Sequence, residues 1–160
     1  MLSVWLICVG KLKEKFYKDA CDEYVKRLSP YCKLTLVEIP EAKLSRDPTL
    51  GEIANALAKE GEAIRQKIPP SARVVALCVE GRMRSSEELA HMFPAVGNGP
   101  DKHLVFLIGG SYGLHPSIKG SANTQLSMSP MTFPHHLARV MLLEQVYRAF
   151  KINEGSSYHK

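Results

Sequence analysis

His103-Leu-Val-Phe-Leu-Ile108-Gly109-Gly110-Ser111-Tyr112-Gly113 is a histidine and five apolar residues running straight into a turn with three glycines. The apolar half has the length and composition of a buried strand, and the glycines let the backbone that follows come close to a flat ligand, because no Cβ stands in the way. A plain tight turn explains the same cluster equally well. Working outward, Arg73-Val-Val-Ala-Leu-Cys-Val79 and Leu2 to Val9 are further apolar runs, and Lys33 to Ile39 is a fourth ending at Pro40. A weaker strand is expected around Gln125 to Ser129. Between these runs lie helical stretches. From Glu14 to Leu28 a stripe of Phe16, Ala20, Tyr24 and Leu28 is predicted to face the core, with Ser29-Pro30 as the stop. Leu50 to Lys67 is a helix after a polar loop, Glu41 to Thr49, that is expected to be mobile. Ser85 and Glu88 have capping-box spacing for a short helix that Pro94 breaks. Pro134 to Ile152 is the last helix. The order β-α-β-α-β-α-β-turn-β-α predicts an α/β fold with a mainly parallel sheet sandwiched by helices, and ligand loops at the carboxyl ends of the strands.

The 160 residues suit one domain over 1–160, and 45% hydrophobic with 23% charged residues places the chain among globular proteins. A net charge of +5 leans toward a polyanionic partner without requiring one. Cys8, Cys21, Cys32 and Cys78 form no CxxC pair, in keeping with a reducing compartment. The apolar start has no basic region before it and no small-residue cleavage site after it, and no run reaches the roughly 20 residues of a membrane span. A cytoplasmic protein is therefore expected. After the first strand, Gly10-Lys-Leu-Lys-Glu-Lys15 has one glycine where a dinucleotide fingerprint needs three. There is no Walker lysine loop, zincin helix or nucleophile elbow, and the six histidines lack ligand spacing, so no metal is expected.

Three features each carry two readings. Leu126-Ser-Met-Ser-Pro-Met-Thr-Phe-Pro134 has the stiffness and the apolar and hydroxyl mix of an adenine site, or is an ordinary strand-to-helix connection. Glu144 and Arg148 are a surface pair or part of a site. Asn153-Glu-Gly-Ser-Ser-Tyr-His-Lys160 is a frayed tail, or a use for Tyr158 and His159. Lys11, Lys13, Lys15 and Lys18 are a solvated helix start or a phosphate-facing patch, the first being the better reading.

Taken together, Leu104 to Leu114, Leu126 to His135, the helix from Arg139 to Ile152 with Glu-Gln-Val-Tyr-Arg-Ala-Phe-Lys, and Tyr158-His159-Lys160 resemble the ribosomal RNA large subunit methyltransferase H family of the SPOUT superfamily. The resemblance runs from the opening strand with Val-Gly-Lys-Leu-Lys-Glu to the last residue. It implies a C-terminal deep trefoil knot over about 103–160, a homodimer, and a pocket for S-adenosylmethionine. That pocket would use Leu77, Gly109, Met128, Ser129, Pro130, Met131, Thr132 and Phe133. The implied substrate is a pseudouridine of 23S rRNA in the assembled ribosome, methylated at N3.

N3 of such a base carries an imide proton that must leave, and the charge it leaves behind must be stabilised. His159 as base, Arg148 as anion partner and Tyr158 as orienting group are the expected catalytic residues. Alignment alone, with the proton lost to solvent, is the alternative. Rival functions are a SPOUT methyltransferase for tRNA or a ribose 2′-hydroxyl, and a ribosome-binding module without activity.

Overall fold

Alternate side chains of a strand point to opposite faces, so a strand that is apolar throughout needs cover on both sides. The computed structural model, which describes residues 1–160, supplies that cover. The elements are β1 (Leu2–Val9), α1 (Lys15–Leu28), β2 (Cys32–Ile39), α2 (Leu50–Lys67), β3 (Ala72–Met83) and α3 (Ser86–His91). After them come β4 (His103–Ile108), α4 (Pro116–Ser121), β5 (Thr124–Ser127) and α5 (His135–Asn153). The five strands form one parallel sheet in the order β2-β1-β4-β3-β5. Val4, Leu6 and Cys8 of β1 and Leu104, Phe106 and Ile108 of β4 join one core with Cys21, Leu28, Leu89, Leu142, Leu143 and Val146 from α1, α3 and α5. Ile7, Val9, Val105 and Leu107, from the opposite faces of the same strands, join Ile64 of α2 and Ile118 of α4. Each fully buried residue of this size contributes about 1.5–3 kcal/mol of transfer free energy.

Four local readings change. Phe16 is 65% exposed, and the residues of α1 that meet the core are Tyr17, Cys21, Tyr24 and Leu28. A strict spacing of four drifts around a helix of 3.6 residues per turn, so a stripe that mixes steps of three and four stays on one face. β3 does not end at Val79. Its ladder with β5 breaks between Leu77 and Arg82 and then resumes to Met83. The turn expected between the last two strands contains α4, started by His115, whose ring accepts from Ser117 N, and by Pro116 at the first helical position. The start of the polar loop before α2 is anchored: Ala42 N donates to Glu60 at 2.8 Å, and Glu41 reaches Ser111. Thr49 and Glu52 form a capping box that begins α2, as Ser85 and Glu88 do for α3.

α5 lies against both α1 and α3. Buried Arg139 ties its first turns to the carboxyl ends of β1 and β2, donating to Glu38 at 2.8 Å and to the Gly10 carbonyl at 3.0 Å. That places the start of α5 beside the glycine loop that follows β4. No helix is long and apolar enough to cross a membrane.

Candidate active site

A cavity of about 760 Å³ opens at the carboxyl ends of β3 and β4, within the range of small-molecule sites. Its walls come from the break in β3, the loop after β4, and the connection from β5 to α5. Gly109 occupies a place where a Cβ would lie 2.4 Å from the carbonyl carbon and oxygen of Gly113, so only glycine fits. Gly113 itself has φ +79°, in the left-handed region that favours glycine. The loop they make is closed by Gly113 N donating to Gly110 O at 3.0 Å. The connection after β5 is likewise tied to itself: Ser127 Oγ donates to Ser129 O and Met131 N to Ser129 Oγ, both at 3.0 Å. Such loops are ordered before any ligand arrives, which lowers the entropic cost of binding.

The glycine loop is also held from outside. Glu41 Oε1 accepts from Ser111 N at 3.1 Å and from Ser111 Oγ at 2.9 Å, and it stands 2.8 Å from where a Cβ on Gly110 would be. Burial pushes the Glu41 carboxyl up, but the Ser111 hydrogen bonds and the nearby His135 and His136 outweigh it and leave it below the usual range. At another edge, Lys119 of α4 donates to Glu80, and both line the cavity.

The tail is docked on its own chain. Arg148 Nε and Nη2 donate to Glu144 Oε1 at 2.9 and 2.6 Å, and Tyr158 Oη donates to the same oxygen at 3.2 Å. The Tyr158 ring stacks on Tyr147 at 5.0 Å and lies 4.8 Å from the guanidinium carbon of Arg148. Burial, then the Glu144 carboxylate, raise the Tyr158 hydroxyl above its ordinary range and keep it protonated. His159 bridges two helices. Its Nδ1 lies 3.1 Å from Arg148 Nη1, a group that can only donate, so Nδ1 accepts and Nε2–H donates to Glu87 at 2.8 Å. The Glu144–Arg148 pair is neither an exposed pair nor fully buried, with side chains 18% and 24% exposed.

Of the eight residues expected around the cofactor, Leu77, Gly109, Met128, Ser129, Met131, Thr132 and Phe133 line the one cavity, and Pro130 faces solvent at its rim. Arg148, Tyr158 and His159 come together, yet none lines that cavity. Glu144 lines a neighbouring hollow of about 420 Å³ that shares Leu126 and Met128 with the first. Sequence reasoning did not find Glu41, Glu80, Lys119 or Glu87. Glu80 has a visible signal in the Gly81 that follows it, whereas Glu41 and Lys119 depend on contacts between distant parts of the chain.

The chain matches the family model described as "Predicted SPOUT methyltransferase" over residues 2–159. It is 48% identical over 159 residues to a Bifidobacterium adolescentis protein named "Ribosomal RNA large subunit methyltransferase H", covering 99% of this chain and 100% of that one. A probable methylase family protein of known structure from Haemophilus influenzae Rd KW20 aligns with a TM-score of 0.57 over 100% of this chain and 72% of its own, at 14% identity, a likeness of fold alone.

Proposed function

The chain belongs to the SPOUT methyltransferase family, and from that premise we propose that it transfers a methyl group from S-adenosylmethionine to N3 of a pseudouridine in 23S rRNA, in the cytoplasm and on assembled ribosomes. The observation that carries the reading is the convergence of Leu77, Gly109 and the Met128 to Phe133 connection on a single cavity. Apolar side chains there, Leu77, Leu126, Met128 and Phe133, suit the faces of an adenine ring, and the backbone of the tied loops suits its edge. When bound, the donor supplies an electrophilic methyl group. The chain's residues must then orient the acceptor base, take up its imide proton and stabilise the charge left on it.

Arg148, Tyr158 and His159 are assigned these roles. Arg148 is a fixed cation for the imide anion, Tyr158 offers a flat ring and a protonated hydroxyl, and His159 accepts the proton. In the docked tail the acceptor atom of His159 faces Arg148, so proton transfer requires that contact to open. Because the three do not line their own chain's cavity, the reading includes a homodimer, in which a second copy brings them to the methyl donor. α5 supports this: beyond its buried Leu142, Leu143, Val146 and Ala149, it leaves Val140, Met141, Tyr147 and Phe150 only half-buried. Apolar residues on more than one side of a helix, among charged ones, suit a further neighbour. The reading also includes a single domain over 1–160 and a trefoil knot over about 103–160. β5 lying at the sheet edge beyond β3, while α5 returns to both α1 and α3, is in keeping with the knot.

The test is incubation of the purified protein and labelled S-adenosylmethionine with assembled ribosomes, free subunits and tRNA, followed by mass-spectrometric mapping of the modified nucleotide. Label confined to one pseudouridine of 23S rRNA is the expected result. Label in tRNA, on a ribose hydroxyl, or nowhere rejects the reading. Replacing His159 with Ala is expected to slow a single turnover by about 10²-fold or more; an unchanged rate removes it from the chemistry.

A further inference from the structure

One ion pair in the cavity is used neither by the fold nor by the tail. Among the cavity's lining residues Glu80 is the only carboxylate and Lys119 the only lysine or arginine. The other base there, His135, is pushed below the ordinary histidine range by burial and by neighbouring His136, which favours its uncharged form. The cavity therefore holds one negative and one positive group, side by side. Their side chains are 57% and 25% exposed, and a pair this open contributes little to stability.

Both partners sit on backbone that has little room to move. Glu80 belongs to the stretch that leaves the β3–β5 ladder between Leu77 and Arg82. Gly81, next to it, is pressed so closely on β5 that a Cβ would lie 2.8 Å from the carbonyl carbon of Gln125. The side chain of the same Gln125 donates to the Lys119 carbonyl at 3.0 Å. One residue of β5 thus fixes the acid through its backbone and the base through its side chain. Opposite charges held at a set separation complement a ligand that carries its own ammonium and carboxylate close together.

We propose that Glu80 and Lys119 recognise the α-amino acid end of the methyl donor, Lys119 pairing with its carboxylate and Glu80 with its ammonium group. This rests on the reading that the donor occupies the cavity. The exchange leaves every charge paired, so the desolvation that binding imposes is offset by new contacts of the same kind. A nucleoside without that end gains nothing from the pair.

S-adenosylhomocysteine and 5′-methylthioadenosine share the adenosine and a neutral sulfur and differ in the amino acid end. Calorimetric titration of both into the full chain isolates that end. The wild type is expected to prefer S-adenosylhomocysteine. Lys119→Met and Glu80→Gln should each weaken that ligand by roughly ten-fold, as for a lost charge-assisted contact, and leave methylthioadenosine within about two-fold. Lys119→Arg, which keeps the charge, should keep the preference. Equal loss for both ligands, or no loss for either, in variants that melt like the wild type overturns the assignment. A wild type that binds neither nucleoside rejects the cavity reading and this proposal with it, whereas a wild type that binds both equally rejects the proposal alone.

Discussion

The cavity and the tail network lie at two stations along α5: His135 and Ala138 form part of one wall, and Glu144 and Arg148 stand roughly 9 to 20 Å further along the helix. They are built differently. The cavity is shaped by backbone, with a glycine at 109 where nothing else fits and loops bonded to themselves, and it is lined by apolar side chains and one pair of opposite charges. The tail network is made of side chains whose polar atoms are already matched, Glu144 to Arg148 and Tyr158, and His159 to Arg148 and Glu87. The first is shaped to receive something without rearranging, and the second has to exchange partners before it can act. Binding and chemistry are separable on this account, and substitutions should separate them.

The largest effect is expected at Gly109. Gly109→Ala drives a methyl group into the backbone of Gly113 and should cost about 3 kcal/mol or more of stability, with loss of S-adenosylhomocysteine binding in any folded fraction. Thermal melting and calorimetry check both, and a variant that binds normally would break the claim that this end is rigid. Next is Arg148→Ala, which should lower methyl transfer by about 10²-fold while S-adenosylhomocysteine affinity stays within about two-fold. A parallel fall in affinity would join the two regions that the account keeps apart.

Smaller is Glu41→Gln, which weakens the outside support of the glycine loop. The folded Glu41 carboxyl titrates below its ordinary value, so its contribution is present above that value and is lost as pH falls through the lower folded one. Melting temperatures of wild type and variant should therefore differ most near neutral pH and converge as the pH falls below the ordinary carboxylate range. A constant difference across that range would sever Glu41 from the loop's stability.

How much of this was legible in the sequence depends on the range of the forces involved. β1 and β4 could be read because cover on both faces makes them apolar at every position, and the capping boxes because they are closed within four residues. The rotation of α1, which exposes Phe16 and buries Cys21, is set by where α5 lies and leaves only a faint trace in the spacing. α4 was hidden because six residues make too short a period, although His115-Pro116 marked its start. The cavity segments showed as glycines after a buried strand and as a stiff Met, Ser and Pro connection, but their joint use was implied by the family resemblance and not by local pattern. Tyr158 and His159 stand out in the sequence as residues unsuited to an idle tail. Their partners Glu87 and Glu144 could be found only in three dimensions, since His159 meets Glu87 across 72 residues of chain.

Amide hydrogen exchange of the full chain with and without S-adenosylhomocysteine tests the central claim most directly. Protection should rise at Leu77 to Gly81, Gly109 to Leu114 and Met128 to Phe133 together, and stay unchanged along the outer turns of α5. Protection that skips any of those three segments, or that appears only around the tail, contradicts the account.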